Sequence, residues 1–273
     1  LNVSREAVGK ILVVGGGRMG SAILNGWLDQ GFVPSNIYLI DRDANTLKQY
    51  ETQGVHTFTA VEDVPKNLVF DIFLLALKPQ IIAASVEQFD HLISPKTCLV
   101  SVAAGVMVNT LKQLLPSAKN VVRVMPNTPA MIGKGVMVGF SYEQDMFGEL
   151  VESLFATLGS FHWIIDENQM HAVTAVSGSG PAYLFYFAQC FVESAKKLGL
   201  PEALAETLAL ETVIGAANLI EQSDDDVETL RHNVTSPNGT TQAGLAALME
   251  GNTVKSRVEA CCLAAAKRSL ELS

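Results

Sequence analysis

The chain has 273 residues, 48% hydrophobic and 17% charged. That balance excludes an intrinsically disordered chain, which needs few apolar and many charged residues. Nineteen Lys and Arg against 28 Asp and Glu leave a net charge of −9, so neither nucleic acid nor an anionic membrane surface is an expected partner.

The longest apolar runs, 70–77 and 182–192, fall short of the ~20 residues that cross a bilayer. The first six residues lack the basic-then-apolar layout of a secretory leader. Cys98, Cys190, Cys261 and Cys262 show no Cys-x-x-Cys spacing. They are expected to be buried free thiols in a reducing, cytoplasmic setting. The histidines form no i,i+4 pair, and no metal site is expected. The apolar excess must then be buried in this chain or against a copy of it.

In chain order, apolar runs at 11–14, 37–40, 72–77, 98–103 and 121–124 are continuous rather than alternating, as parallel strands buried on both faces require. Helical patterns at 19–29, 44–52 and 79–89 lie between them. This strand–helix repetition predicts a doubly wound α/β sheet over residues 1–165. Further strands are expected at 136–140 and 161–165, with a helix at 144–158 between them. Residues 166–273 read as an all-α domain, with helices at 168–176, 181–198, 201–222 and 253–270. Pro181 and Pro201 suit first-turn positions. The 201–222 helix is apolar on most sides, so this half is expected to form a dimer interface.

The segment Val13-Val14-Gly15-Gly16-Gly17-Arg18-Met19-Gly20 joins the first strand to the first helix. Gly15, Gly17 and Gly20 match G-x-G-x-x-G: one glycine for the tight turn, one for approach to a pyrophosphate, one for close helix packing. The helix N-terminus then offers free N–H groups to the phosphates. Asp41 stands where an acid would bind the adenine-ribose hydroxyls of NAD, and Arg42 where a cation could hold the 2′-phosphate of NADP. The pair points both ways, so the expected cofactor is NADP or NAD in reduced form.

Four other segments stand out: Ala76-Leu77-Lys78-Pro79-Gln80, Met125-Pro126-Asn127-Thr128-Pro129-Ala130, Ser177-Gly178-Ser179-Gly180-Pro181-Ala182-Tyr183 and Thr235-Ser236-Pro237-Asn238-Gly239-Thr240-Thr241. The second is a proline-stiffened loop carrying an amide. The third reads as a capped helix start. The fourth is a turn leading into an Ala/Leu-rich helix at 242–249, whose successive N–H groups suit an anion. With the glycine turn, and in this order along nearly the whole chain, they resemble the pyrroline-5-carboxylate reductases. That family reduces a cyclic imine to proline, the last step of proline biosynthesis, with NAD(P)H.

The resemblance implies that Gly15, Gly17, Arg18, Met19, Gly20, Asp41, Arg42, Leu77, Lys78 and Pro79 line the cofactor. Ala103, Ala104, Gly105, Met125 and Asn127 would lie at its nicotinamide half. It places Ser177, Asn127, Pro129, Gly239, Thr240 and Thr241 at the substrate. Ser236 and Thr241 would be the catalytic contacts, with Thr241 the hydroxyl nearest the ring nitrogen. A homodimer, or an assembly of dimers, is implied as well. Three positions depart from the family: Asn238 replaces a second glycine, Arg18 a common asparagine, and Val61 an asparagine near the adenine ribose. Asn tolerates positive φ next best after glycine, so the 235–241 turn can keep its shape.

Two other readings share parts of this pattern. A β-hydroxyacid dehydrogenase would need a lysine on the helix after the Ser177 segment, and Lys196 and Lys197 come too late. A non-catalytic dinucleotide sensor would keep the glycine turn but have no use for the 235–241 loop.

Overall fold

The computed structural model describes residues 8–273, so the leader reading made on the first six residues lies outside the described ones. Two compact units result. One runs up to Ser179 and takes in Ala264–Ser273; the other is Gly180–Leu263. The change of composition near residue 165 thus precedes the point where the chain leaves the first unit.

The first unit is built on β1 (Ile11–Val14), β2 (Ile37–Ile40), β3 (His56–Phe58), β4 (Ile72–Leu75), β5 (Cys98–Ser101), β6 (Asn120–Met125), β7 (Gly135–Phe140) and β8 (Gly159–Trp163). Among the described residues these form one sheet in the order β3-β2-β1-β4-β5-β6-β7-β8. The pairings from β3 to β6 are parallel, β7 runs antiparallel to β6, and β8 parallel to β7. Helices α1 (Arg18–Asp29), α2 (Ala44–Glu51), α3 (Pro79–Ser85), α4 (Val108–Leu114) and α5 (Gln144–Phe155) connect the strands.

The continuous apolar runs have a direct cause. Leu12, Val14, Tyr38, Ile40, Phe73 and Leu75 enter one core. Their neighbours Ile11, Val13, Ile37, Leu39, Ile72 and Leu74 enter a second core on the opposite face. With helices on both faces, neither face of a strand can be polar. Trp27 of α1, fully buried, donates its indole N–H to the Leu154 carbonyl of α5 at 2.6 Å.

β4 and β5 end earlier than the apolar runs suggest: Ala76 N–H and Val102 N–H still reach the Val14 and Leu75 carbonyls of the neighbouring strands, but the paired register closes at Leu75 and Ser101. The helix expected to 89 stops at Ser85 and tightens into 3₁₀ turns over Val86–Leu92. β3 and α4 were not anticipated. The first is a three-residue edge strand, His-Thr-Phe, with no buried side chain.

The chain then passes through α6 (Gln169–Val173) and a single π turn, Thr174–Gly178, into α7 (Gly180–Lys197). The helix start expected around Ser177 is therefore corrected. Ser179 N–H reaches back to the Thr174 carbonyl, and the Ser177 hydroxyl donates to the Val173 carbonyl at 3.0 Å instead of capping an amide. π turns of this kind concentrate at functional sites. Pro181 keeps a first-turn place, but Pro201 is the N-cap of α8 (Glu202–Gln222) rather than its first residue.

In the second unit α7 and α8 are followed by α9 (Val227–Asn233), α10 (Thr240–Met249) and α11 (Thr253–Glu271), the last ending in the first unit. The buried side chains here are small: Ala188, Ala205 and Ala209. The expectation of buried thiols is corrected as well: Cys98 of β5 is buried, but Cys190 and Cys262 are half-buried and Cys261 is exposed, on helices whose apolar faces point outward. Large apolar residues face outward, among them Phe185, Tyr186 and Phe187 on α7 and Leu208, Ile214 and Ile220 on α8. α8 also corrects the search for membrane-length segments. It is long and apolar enough to span a bilayer, with mean hydropathy 1.4. Glu202, Glu206, Glu211 and Glu221 interrupt its apolar run, which is why a scan for uninterrupted runs passes over it.

Candidate active site

The carboxyl ends of β1, β2, β4, β5 and β6 share one edge of the sheet. Strand order reverses at β1, which lies between β2 and β4, and ligands of open α/β sheets bind at such a reversal. The glycine turn sits there. Gly15 has φ +103°, and a side chain on it would lie 2.6 Å from the Ala76 carbonyl oxygen at the end of β4. A methyl on Gly20 would overlap the Gly15 carbonyl oxygen. Gly17, the N-cap of α1, has open space where a side chain would be. The first intrahelical bond of α1 is Ser21 N–H to Gly17 O, 2.8 Å, which leaves the amides of Arg18, Met19 and Gly20 as unpaired first-turn donors. A dinucleotide pyrophosphate fits this bare, donor-rich turn.

The end of β2 is stitched to the same turn. Gly15 N–H bonds the Ile40 carbonyl at 2.9 Å. Asp41 accepts from Gly16 N–H at 2.5 Å through one oxygen and from Asp43 N–H at 2.8 Å through the other. Arg42 is exposed. Lys78, also exposed, is the N-cap of α3, and Pro79 is its first residue. Leu77 lies against Gly15.

Beyond β5, Ala103 is buried and Gly105 adopts φ +79°. A side chain on Gly105 would meet Leu272 at 3.1 Å, so the last residues of the chain pack on this loop. Beyond β6, Asn127 is buried and its Oδ1 accepts from Val136 N–H of β7 at 2.9 Å. Its carbonyl end thus braces the Met125–Pro129 loop. Gly178 of the π turn lies on the same loop: a methyl there would come within 2.5 Å of the Met125 terminal carbon. The first unit therefore brings together the glycine turn, the Asp41 corner and the ends of β4, β5 and β6, with Ser177 one residue from the Met125 contact. Sequence reasoning missed the Asp41–Gly16 clasp and the Gly178–Met125 fit, since neither pair has any local signal.

The 235–241 loop belongs to the second unit. Asn238 has φ 58° and donates its N–H to the Gln242 side chain at 2.6 Å. Gly239 N–H closes the turn onto the Ser236 carbonyl at 3.1 Å, and Gly239 is the N-cap of α10. The helix begins at Thr240 rather than 242. The first α10 bond is Ala243 N–H to Gly239 O, so the amides of Thr240 and Thr241 precede it. Ser236, Thr240 and Thr241 are exposed.

Comparisons with known proteins agree with this layout. Residues 167–272 match the family described as pyrroline-5-carboxylate reductase dimerisation, and residues 10–105 match NADP oxidoreductase coenzyme F420-dependent. The pyrroline-5-carboxylate reductase of Haemophilus influenzae is 35% identical over 92% of this chain and 94% of its own. That of Arabidopsis thaliana is 36% identical over 97% and 95%. A solved pyrroline-5-carboxylate reductase from Coxiella burnetii superposes with a TM-score of 0.88 at 34% identity, covering 97% of this chain and 99% of that one. A Plasmodium falciparum pyrroline carboxylate reductase solved with NADP bound gives 0.81 at 28% identity, with 96% and 97% covered. With its two family matches in the order of its two halves, and relatives of this identity spanning both, the chain belongs to the pyrroline-5-carboxylate reductase family.

Proposed function

We propose that this chain reduces 1-pyrroline-5-carboxylate to L-proline with NAD(P)H. The observation that carries the reading is the 235–241 turn. Asn238 takes the positive φ, and unpaired amides and hydroxyls of Thr240 and Thr241 stand together at the start of α10. Such a cluster suits a carboxylate and a ring nitrogen at once. Bound reduced nicotinamide supplies the hydride. The chain's own groups bind and orient: the α1 amides and Gly17 hold phosphates, and Asp41 and Arg42 stand at the adenine ribose. Leu77, Lys78 and Pro79 border the cofactor, while Ala103, Ala104, Gly105, Met125 and Asn127 form its nicotinamide side.

In the second unit Gly239, Thr240 and Thr241 hold the substrate carboxylate beside Ser236; in the first unit Ser177 and Pro129 are the residues assigned to the substrate. The Thr241 hydroxyl orients the nitrogen. A protonated imine accepts hydride at its carbon directly, so catalysis rests on near-attack geometry rather than an acid–base pair. Thr241→Val is expected to lower kcat/KM by about 1–3 kcal/mol, roughly 5- to 150-fold, with NADH binding unchanged. Steady-state assays of NAD(P)H oxidation with pyrroline-5-carboxylate test it. Unaltered kinetics would remove Thr241 from the site, and no oxidation in the wild type would favour a nucleotide sensor.

We further read residues 166–273 as the substrate-binding and dimerisation half, and the minimal assembly as a homodimer in the cytoplasm. The support is the uncovered apolar surface of α7 and α8, which a second copy would bury. Light scattering at micromolar concentration is expected to give twice the 29.3 kDa chain mass or a multiple of it. A stable monomer contradicts the assignment.

A further inference from the structure

The end of β2 carries an acid and a cation side by side, Asp41 and Arg42. Asp41 is held from two directions, by the Gly16 and Asp43 amides, and both its oxygens face backbone donors at 2.5 and 2.8 Å. It therefore cannot swing aside without releasing the glycine turn that receives the phosphates. We propose that Asp41 is the residue that makes this chain select a free ribose 2′-hydroxyl, and so NADH over NADPH. The inference rests on the reading of the chain as an NAD(P)H-dependent reductase.

The argument is one of charge and fixity. An acid at this corner of a dinucleotide fold meets the adenine ribose. Each Asp41 oxygen keeps acceptor capacity beyond its amide bond, enough for a ribose hydroxyl. A 2′-phosphate would instead bring like charge against a carboxylate that cannot retreat.

The surroundings add to the repulsion. Asp43 caps α2, and its carboxyl is held below the ordinary value by the Thr46 hydroxyl and the Asn45 N–H, so it stays ionised. β3 ends beside β2, with Asp41 N–H on the Phe58 carbonyl at 3.2 Å. The turn after β3 carries Glu62 and Asp63, and Thr59 donates to Asp63. Against these carboxylates stand Arg42 and Lys48. Lys48 shares its cavity, about 460 Å³, with Glu51 and Asp63. Arg42, exposed and next to Asp41 in the chain, is a cation that a 2′-phosphate could meet, on a side chain with none of Asp41's anchoring. The Plasmodium relative, solved with NADP bound, is 28% identical; the preference inferred here comes from this chain's own corner.

Titrating the purified protein with NADH and with NADPH, followed by nucleotide fluorescence, tests the proposal without turnover. Wild type is expected to bind NADH about tenfold more tightly, the effect of one like-charge contact at intermediate screening. Asp41→Asn keeps an oxygen for Gly16 N–H and removes the charge. It is expected to close most of the gap from both sides, strengthening NADPH by removing the like charge and weakening NADH by the loss of a charged acceptor for the ribose hydroxyl. Competition by 2′,5′-ADP and 5′-ADP reads the same choice on wild type alone, with 5′-ADP expected to be the stronger competitor. Equal or tighter NADPH binding in wild type, an unchanged ratio in Asp41→Asn, or NADPH affinity that collapses in Arg42→Ala would overturn the proposal. NADH binding without turnover of the imine would leave it standing and overturn the reductase reading instead. Failure to bind either nucleotide would overturn both.

Discussion

Glu167→Ala is expected to cost about 3–5 kcal/mol of stability, a large share of the 5–15 kcal/mol typical of a folded protein. Glu167 Oε1 accepts from Arg123 Nη1 at 2.6 Å and from Val108 N–H at 2.8 Å. Both side chains are almost fully buried, 5% and 6% exposed. Arg123 lies in β6, Val108 opens α4, and Glu167 precedes α6, so one carboxylate joins three segments. Removing it leaves a guanidinium in the core, beside the Met107 sulfur at 3.2 Å, and an amide without its acceptor.

A buried ion pair is weak proof of stabilisation, because desolvation offsets most of the attraction; what is costly is to break it on one side. The combined variant Arg123→Met with Glu167→Leu should therefore recover much of the loss. Urea denaturation of the three proteins checks this. A single-variant loss below about 1 kcal/mol, the range of an exposed pair, would contradict the buried pairing.

Gly20→Ala is the second large effect, and its sign separates two physical accounts. Gly20 lies inside α1, and by helix propensity alone alanine should stabilise by about 1 kcal/mol. The structure dictates the opposite. The new methyl would overlap the Gly15 carbonyl oxygen and crowd the Ala76 side chain. Both obstacles belong to the turn and to the end of β4, so the backbone has to move. Nucleotide affinity is expected to fall more than tenfold, over 1.4 kcal/mol. Fluorescence titration with NADH measures it, and circular dichroism reports whether the fold survives. Retained affinity with a raised melting temperature would mean that the turn is not packed as described.

Much of this protein could be read from its residues in order. β1 and β2 fall on the expected runs, because a strand covered on both faces must be apolar at every position, and such runs are visible locally. Gly15 and Gly20 announce their turn because a side chain at either would strike backbone, and Gly17 because its bare surface leaves room for a phosphate. The 235–241 loop is legible for a similar reason: Pro, Asn and Gly in succession restrict the backbone before any tertiary contact forms, and Asn238 takes the φ expected of it.

Other features were illegible in the sequence because they are relations between distant residues. β3 is only three residues long, with none buried, and exists because β2 offers an edge. The turn at Ser177 looks like a helix start, and its winding into a π turn goes with the packing of Gly178 on Met125, a residue far away in the chain. Arg123 and Glu167 carry no sign of each other, 44 residues apart. Asp41 and Arg42 remain ambiguous as a sequence pair. The fold separates them by fixing Asp41 on the Gly16 amide across 25 residues, while Arg42 stays exposed. Backbone preference and burial act locally and leave their pattern in neighbouring residues. Hydrogen bonds and steric fits act between whichever residues the fold brings together.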